Sequence, residues 1–173
     1  SICPRRRMII MKRVKNSIFI SDSLRTLFVD SGSMCRAFDA VLREMGVSGR
    51  QLSVTLVGDH AMRGLNREYR GVDATTDVLS FSMADGEHVE GEMLGDIVIS
   101  LPAIVRQSTR PHLDGRPTTG TTQRELALMS IHGVLHLLGF DHDRGERESA
   151  SMIEKERELF EATWRVFPAI RQR

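Results

Sequence analysis

Cysteine is nearly missing from this chain: Cys3 and Cys35 are its two thiols in 173 residues. Two cysteines build neither a disulfide scaffold nor a four-cysteine zinc site. Such sparse use fits a reducing compartment, so a cytoplasmic location is expected. Aromatic residues make up 5%, with one Trp and one Tyr. Stacking platforms for bases are therefore scarce, and any nucleic acid would be recognised by backbone and shape. No apolar run approaches the roughly 18–20 residues of a membrane span, so no membrane partner is expected. Neither sign of charge dominates: 24 Lys and Arg face 23 Asp and Glu, a net charge of +1. Global charge thus argues neither for nor against a nucleic-acid partner.

What is present is ordinary globular composition, with 40% hydrophobic and 27% charged residues. The length suits one domain whose core needs no staples. Charge is uneven at the start, where Arg5, Arg6, Arg7, Lys12, Arg13 and Lys15 occur without an acid. The apolar stretch Met8–Met11 within it is too short for a signal-peptide core. Residues 1–15 are expected to form a disordered basic extension, and 16–173 a single domain.

Strands are expected at 16–21, 52–57, 78–83 and 94–101, with a hairpin or crossover loop at 84–91. Ser33 is the expected N-cap of a helix over 34–45, stopped by Gly46, and Asp59 that of a helix reaching Tyr69. Pro102 suits the first turn of a short helix. Pro111, Gly115, Pro117 and Gly120 mark 107–121 as loop. A long apolar helix over 123–138 follows, with Thr122 and Glu125 in capping-box spacing and Gly139 at its stop. The last helix covers 144–164. The order predicts a small α/β domain, one mixed sheet of about four strands packed with about five helices.

The chemistry concentrates in His132-Gly-Val-Leu-His136-Leu-Leu-Gly139-Phe-Asp-His142. Residues i and i+4 of a helix share a face, so His132 and His136 can point at one ion. Gly139 lets the chain leave the helix at positive φ, and His142 can then approach from the other side. Three imidazoles and an open position define a catalytic zinc site, here one Zn2+ per chain. The spacing is that of the long metzincin motif, but Gly133 stands where those proteases carry their glutamate base. A peptidase would need its base from elsewhere. A second segment runs from Leu65 to Asp73 and on through Thr76 to Phe81. It offers Arg70, whose planar fork suits phosphate, and Asp77, which caps or braces the turn. Arg63, Arg67 and Arg70 recur at helical spacing as a basic stripe for RNA.

LNREYRGVD with TDVLSF, then LGDIVIS, then RELALMSIHGVLHLLGFDH together resemble the YbeY family of bacterial ribosomal-RNA maturation factors. The matching pieces run from Leu65 to His142; the rest matches in pattern only. The resemblance implies a single-strand-specific, metal-dependent endoribonuclease. It implies that His132, His136 and His142 hold the metal, that His132 also serves activity, and that Arg70 acts beside it. It further implies a role in small-subunit rRNA 3′-end maturation and ribosome quality control. Single-stranded rRNA, the small ribosomal subunit with its proteins, and an assembly GTPase are the implied partners. Two departures stand out. Thr75 replaces a common proline, which should loosen the loop beside Arg70, and the loop 110–121 is longer and brings His112, expected to be a solvated histidine, with a fourth metal ligand as the alternative.

Three functions follow from these residues. The first is an RNA hydrolase in which the metal polarises a phosphoryl oxygen and Arg70 balances charge. Its base is left open among the metal hydroxide, Asp77, Asp96, Asp141 and Asp143; Asp141 is also a candidate to orient a ligand imidazole. The others are an unusual metalloprotease and an assembly factor whose zinc is structural.

Overall fold

The computed structural model describes residues 15–83, 93–113, 116, 118–141 and 145–173. The expected basic extension, save Lys15, the 84–91 connection, and His142 with Asp143 lie outside these described residues.

Strands β1 (Ser17–Asp22), β3 (Gln51–Val57), β5 (Met93–Ser100) and β4 (Val78–Ser82) form one sheet in that spatial order. The first three run parallel, and β4 pairs antiparallel with β5 at the edge. Alternation assigns the faces. Leu52, Val54 and Leu56 with Ile97 and Ile99 enter the main core, whereas Val57, Leu79 and Val98 face Met62 of α2 (Asp59–Arg70) in a smaller cluster. Helices α1 (Ser31–Glu44), α3 (Leu101–Gln107), α4 (Thr122–Leu137) and α5 (Glu146–Thr163) supply most of the rest of the main core. The mixed four-stranded sheet with five helices is the architecture the sequence predicts. A two-stranded antiparallel ladder, β2 (Leu27–Phe28) with β6 (Arg171–Gln172), was not expected, because two-residue strands carry no periodic signal.

The caps shift three expectations. Asp30, not Ser33, caps α1, its carboxylate accepting from the Ser33 N–H at 2.6 Å. Gly58 caps α2, so Asp59 is the first helical residue and its carboxylate is taken by Arg106 of α3 at 2.7 and 2.8 Å. Thr121 caps α4, its hydroxyl accepting from the Arg124 N–H at 3.2 Å. The start is therefore one residue earlier than expected, and Glu125 is freed from the capping box. Pro102 does open α3.

Helix α4 is apolar nearly all round, as a helix packed on several sides must be. Leu126, Ala127, Ile131, Val134 and Leu135 are buried on it. It stops in a Schellman motif: Gly139 takes φ +90°, its N–H reaches His136 O at 3.1 Å, and Phe140 N–H reaches Leu135 O at 3.0 Å.

Candidate active site

One face of α4, the loop before it, the end of α2, and strand β4 meet at a cleft of about 690 Å³. His132 and His136 stand one turn apart and both line it. Their Nε2 atoms are 3.0 Å apart, with the rings at 79°. Two nitrogens bound tetrahedrally to one ion at about 2.0–2.1 Å lie roughly 3.3 Å from each other. The pair therefore fits a shared zinc with a shift of a few tenths of an ångström. No group of three His, Cys, Asp or Glu among the described residues is placed to hold a metal, and His142 is not among them.

Behind His132 stands a residue the motif did not indicate. Glu156 of α5 is 3% exposed, and its Oε2 lies 3.0 Å from His132 Nδ1. A carboxylate there accepts the Nδ1 proton and leaves the Nε2 lone pair facing His136, the tautomer a metal requires. Arg116 donates from the loop to the other oxygen of Glu156. The orienting carboxylate on His132 is thus Glu156, while Asp141 lines the cleft. The signal for Glu156 was available: Met152, Glu156 and Leu159 share the buried stripe of α5, and an acid on such a stripe needs a partner.

Arg70 comes to the cleft as the last residue of α2. Gly71 follows at φ +69°, turning the chain out of the helix. Buried Asn66 donates to Ala74 O at 2.8 Å and so holds the returning loop. Arg70 is exposed and makes no hydrogen bond or ion pair among the described residues. Its stripe-mates are committed elsewhere. Arg63 grips Asp73 with two hydrogen bonds at 2.8 and 2.9 Å, Arg67 lies 3.7 Å from it, and neither lines the cleft. The hydrogen bonds from Arg63 hold the Asp73 carboxyl below the usual carboxylate range. Thr75 of the same loop places its hydroxyl 3.4 Å from Asp59 Oδ1. Asp77 braces the loop exit through the Val78 N–H at 2.9 Å and lines the cleft, whereas Asp96 on β5 does not.

The expectation of a solvated His112 is overturned. Its side chain is 7% exposed and lies in the cleft wall, with Nε2 3.2 Å from Glu125 Oε2. Glu125 is fully buried and also accepts from the Thr119 hydroxyl at 2.7 Å. Desolvation pushes its carboxyl above the ordinary value. Gly133 has a packing cause. A Cβ there would sit 3.2 Å from Ile97 Cγ2 and from Ser80 Oγ, and the Ser80 hydroxyl donates to Gly133 O at 3.1 Å. That position faces the sheet, so a side chain at 133 would press on Ile97 and Ser80, which would have to give by a few tenths of an ångström.

Fold and cleft together define a small α/β domain with an imidazole pair and a free arginine lining one site. Comparison with known proteins gives the family. The family model described as endoribonuclease YbeY matches residues 20–163, and the chain belongs to that family. A Pelotomaculum thermopropionicum endoribonuclease YbeY is 39% identical over 87% of this chain and 93% of its own length. One from Persephonella marina is 34% identical over 84% and 92%. A solution structure of a Thermotoga maritima protein matches at TM-score 0.56 and 27% identity, over 85% of this chain and 89% of that one. Membership makes the chain an endoribonuclease by class, a hydrolase of RNA phosphodiesters. No helix among the described residues is long and apolar enough to cross a membrane.

Proposed function

We propose that this protein is a zinc-dependent, single-strand-specific endoribonuclease that trims the 3′ end of small-subunit rRNA and serves ribosome quality control in the cytoplasm. Its partners are then single-stranded rRNA, the small subunit with its proteins, and an assembly GTPase. The observation that carries the reading is the convergence of His132 and His136, backed by Glu156, with unpaired Arg70 across the same cleft. His132, His136 and His142 would hold the metal, which when bound acidifies water and acts as a Lewis acid toward a phosphoryl oxygen. Glu156 fixes the His132 tautomer. Arg70 binds a non-bridging phosphoryl oxygen and balances the charge that grows there as the nucleophile adds. The histidine-lined cleft can take a splayed single strand whose phosphates reach Arg70.

The peptidase alternative loses ground at Gly133, which is packed against Ile97. The structural-zinc alternative is separated by one experiment. Metal content and cutting of an RNA from the small-subunit 3′ region are measured for wild type, His136→Ala and Arg70→Ala. The expected result is one zinc per wild-type chain, loss of metal and cutting in His136→Ala, and retained metal with lost cutting in Arg70→Ala. Equal cutting by all three overturns the catalytic reading.

A further inference from the structure

His112 and Glu125 belong to no part of the chemistry described so far, yet they form a built pair on the cleft wall. Glu125, Met129, His132 and His136 follow one another at helical spacing along a single stripe of α4. Met129, His132 and His136 line the cleft, and His112 lines it above Glu125. Glu125 is completely buried, and its Oε1 has no hydrogen-bond partner among the described residues. A buried acid in this state is costly unless it serves a neighbour. Its neighbour is the imidazole, 3.2 Å away. The loop holds that imidazole in place: His112 N–H donates to Arg116 O at 3.0 Å, and the Gln107 amide donates to Pro111 O at 3.2 Å. A histidine backed by a buried carboxyl and facing a substrate cleft has the tautomer, the orientation and the counter-charge that proton transfer needs.

Resting on the ribonuclease reading, we propose that His112 is the general acid of this cleft, with Glu125 as its positioning residue. The pair carries one shared proton and no net charge at rest, which suits desolvation. When the nucleophile adds to phosphorus and the bond to the leaving ribose oxygen breaks, the electron pair stays on that oxygen. The His112 proton moves to it from Nδ1, while Glu125 holds the Nε2 side. The nucleophile's own proton leaves to solvent, and the pair, now bearing one negative charge, takes a proton back from solvent. The product is an alcohol rather than an alkoxide.

The test uses two RNA oligonucleotides that differ at one atom. One carries the natural bridging oxygen that departs, identified first from the product ends; the other carries sulfur there. A thiolate departs without a proton. His112→Gln keeps a hydrogen-bonding side chain beside Glu125 and cannot deliver a proton. It is expected to lower cutting of the oxygen substrate about 10²–10⁴-fold and that of the sulfur substrate less than about tenfold. Glu125→Gln is expected to show a smaller loss with the same sulfur rescue. Zinc content and thermal melting of each variant establish that it is folded. Equal losses on both substrates, or no loss on either, overturn the proposal while leaving the ribonuclease reading intact. A wild-type protein that cuts neither substrate overturns both.

Discussion

Glu156 is the residue whose environment commits it most narrowly. It is nearly enclosed, spans His132 and Arg116, and has no solvent to fall back on. Glu156→Gln removes the charge that favours the Nδ1–H tautomer. It is expected to weaken zinc binding roughly 10–100-fold, read by competition with a chelating indicator. Gly133→Glu restores the protease letter, and packing decides its fate. The new side chain is driven into Ile97 and Ser80 and buries a charge. A loss of at least about 3 kcal/mol is expected in urea denaturation, with no peptide cleavage gained. His132, His136 and Arg70 were legible because helical spacing and a helix end are local facts. Glu156 lies 24 residues from His132, and His112 lies 13 from Glu125. Such pairings are made by tertiary packing, which no window along the chain contains.

Among the elements, α4 positions the site, and its ends set its register. Thr121→Ala removes the hydroxyl that accepts from Arg124 and is expected to cost about 1 kcal/mol, measured as a shift in the denaturant midpoint. Helix α2 is tied to α3 through Asp59. Hydrogen bonds from Arg106 hold that carboxyl below its ordinary value. The stabilisation from the ionised form is complete above the ordinary carboxylate range and is lost as pH falls through the lowered value. Asp59→Asn is therefore expected to melt lower than wild type at neutral pH, with the gap closing on acidification, as followed by circular dichroism. Strong periodicity made the helices and main strands readable to within a residue or two, except the start of α1, which lies three residues before the expected one. The caps misled at Ser33, Asp59 and Thr122 because neighbouring polar residues compete for one role, and only the folded partner (Arg106 for Asp59) resolves the competition.

Among the described residues, 167–172 close one side of the domain. Phe167 is buried edge-on against Phe38 of α1, with ring centroids 5.9 Å apart at 69°. Gln123 donates to Phe167 O at 2.7 Å, and β6 pairs with β2 beside α1. Phe167→Ala is expected to cost about 3–5 kcal/mol, seen as a lower melting temperature. The small α/β architecture, a mixed four-stranded sheet with five helices, was readable from the order of elements. The clasp of residues 167–172 on β2 and α1 was not, because it rests on one aromatic contact and two-residue strands.

The route from His132 to Glu156 has a consequence in time as well as space. The imidazole is made first, and its carboxylate follows 24 residues later. At about 5–20 residues per second, that is a delay of roughly one to five seconds. Until α5 is synthesised and docked, His132 has neither its fixed tautomer nor the Arg116 clamp behind it. On the proposed metal-dependent reading, a chain still being translated is therefore a ribonuclease with its safety on, carried by a machine built of RNA.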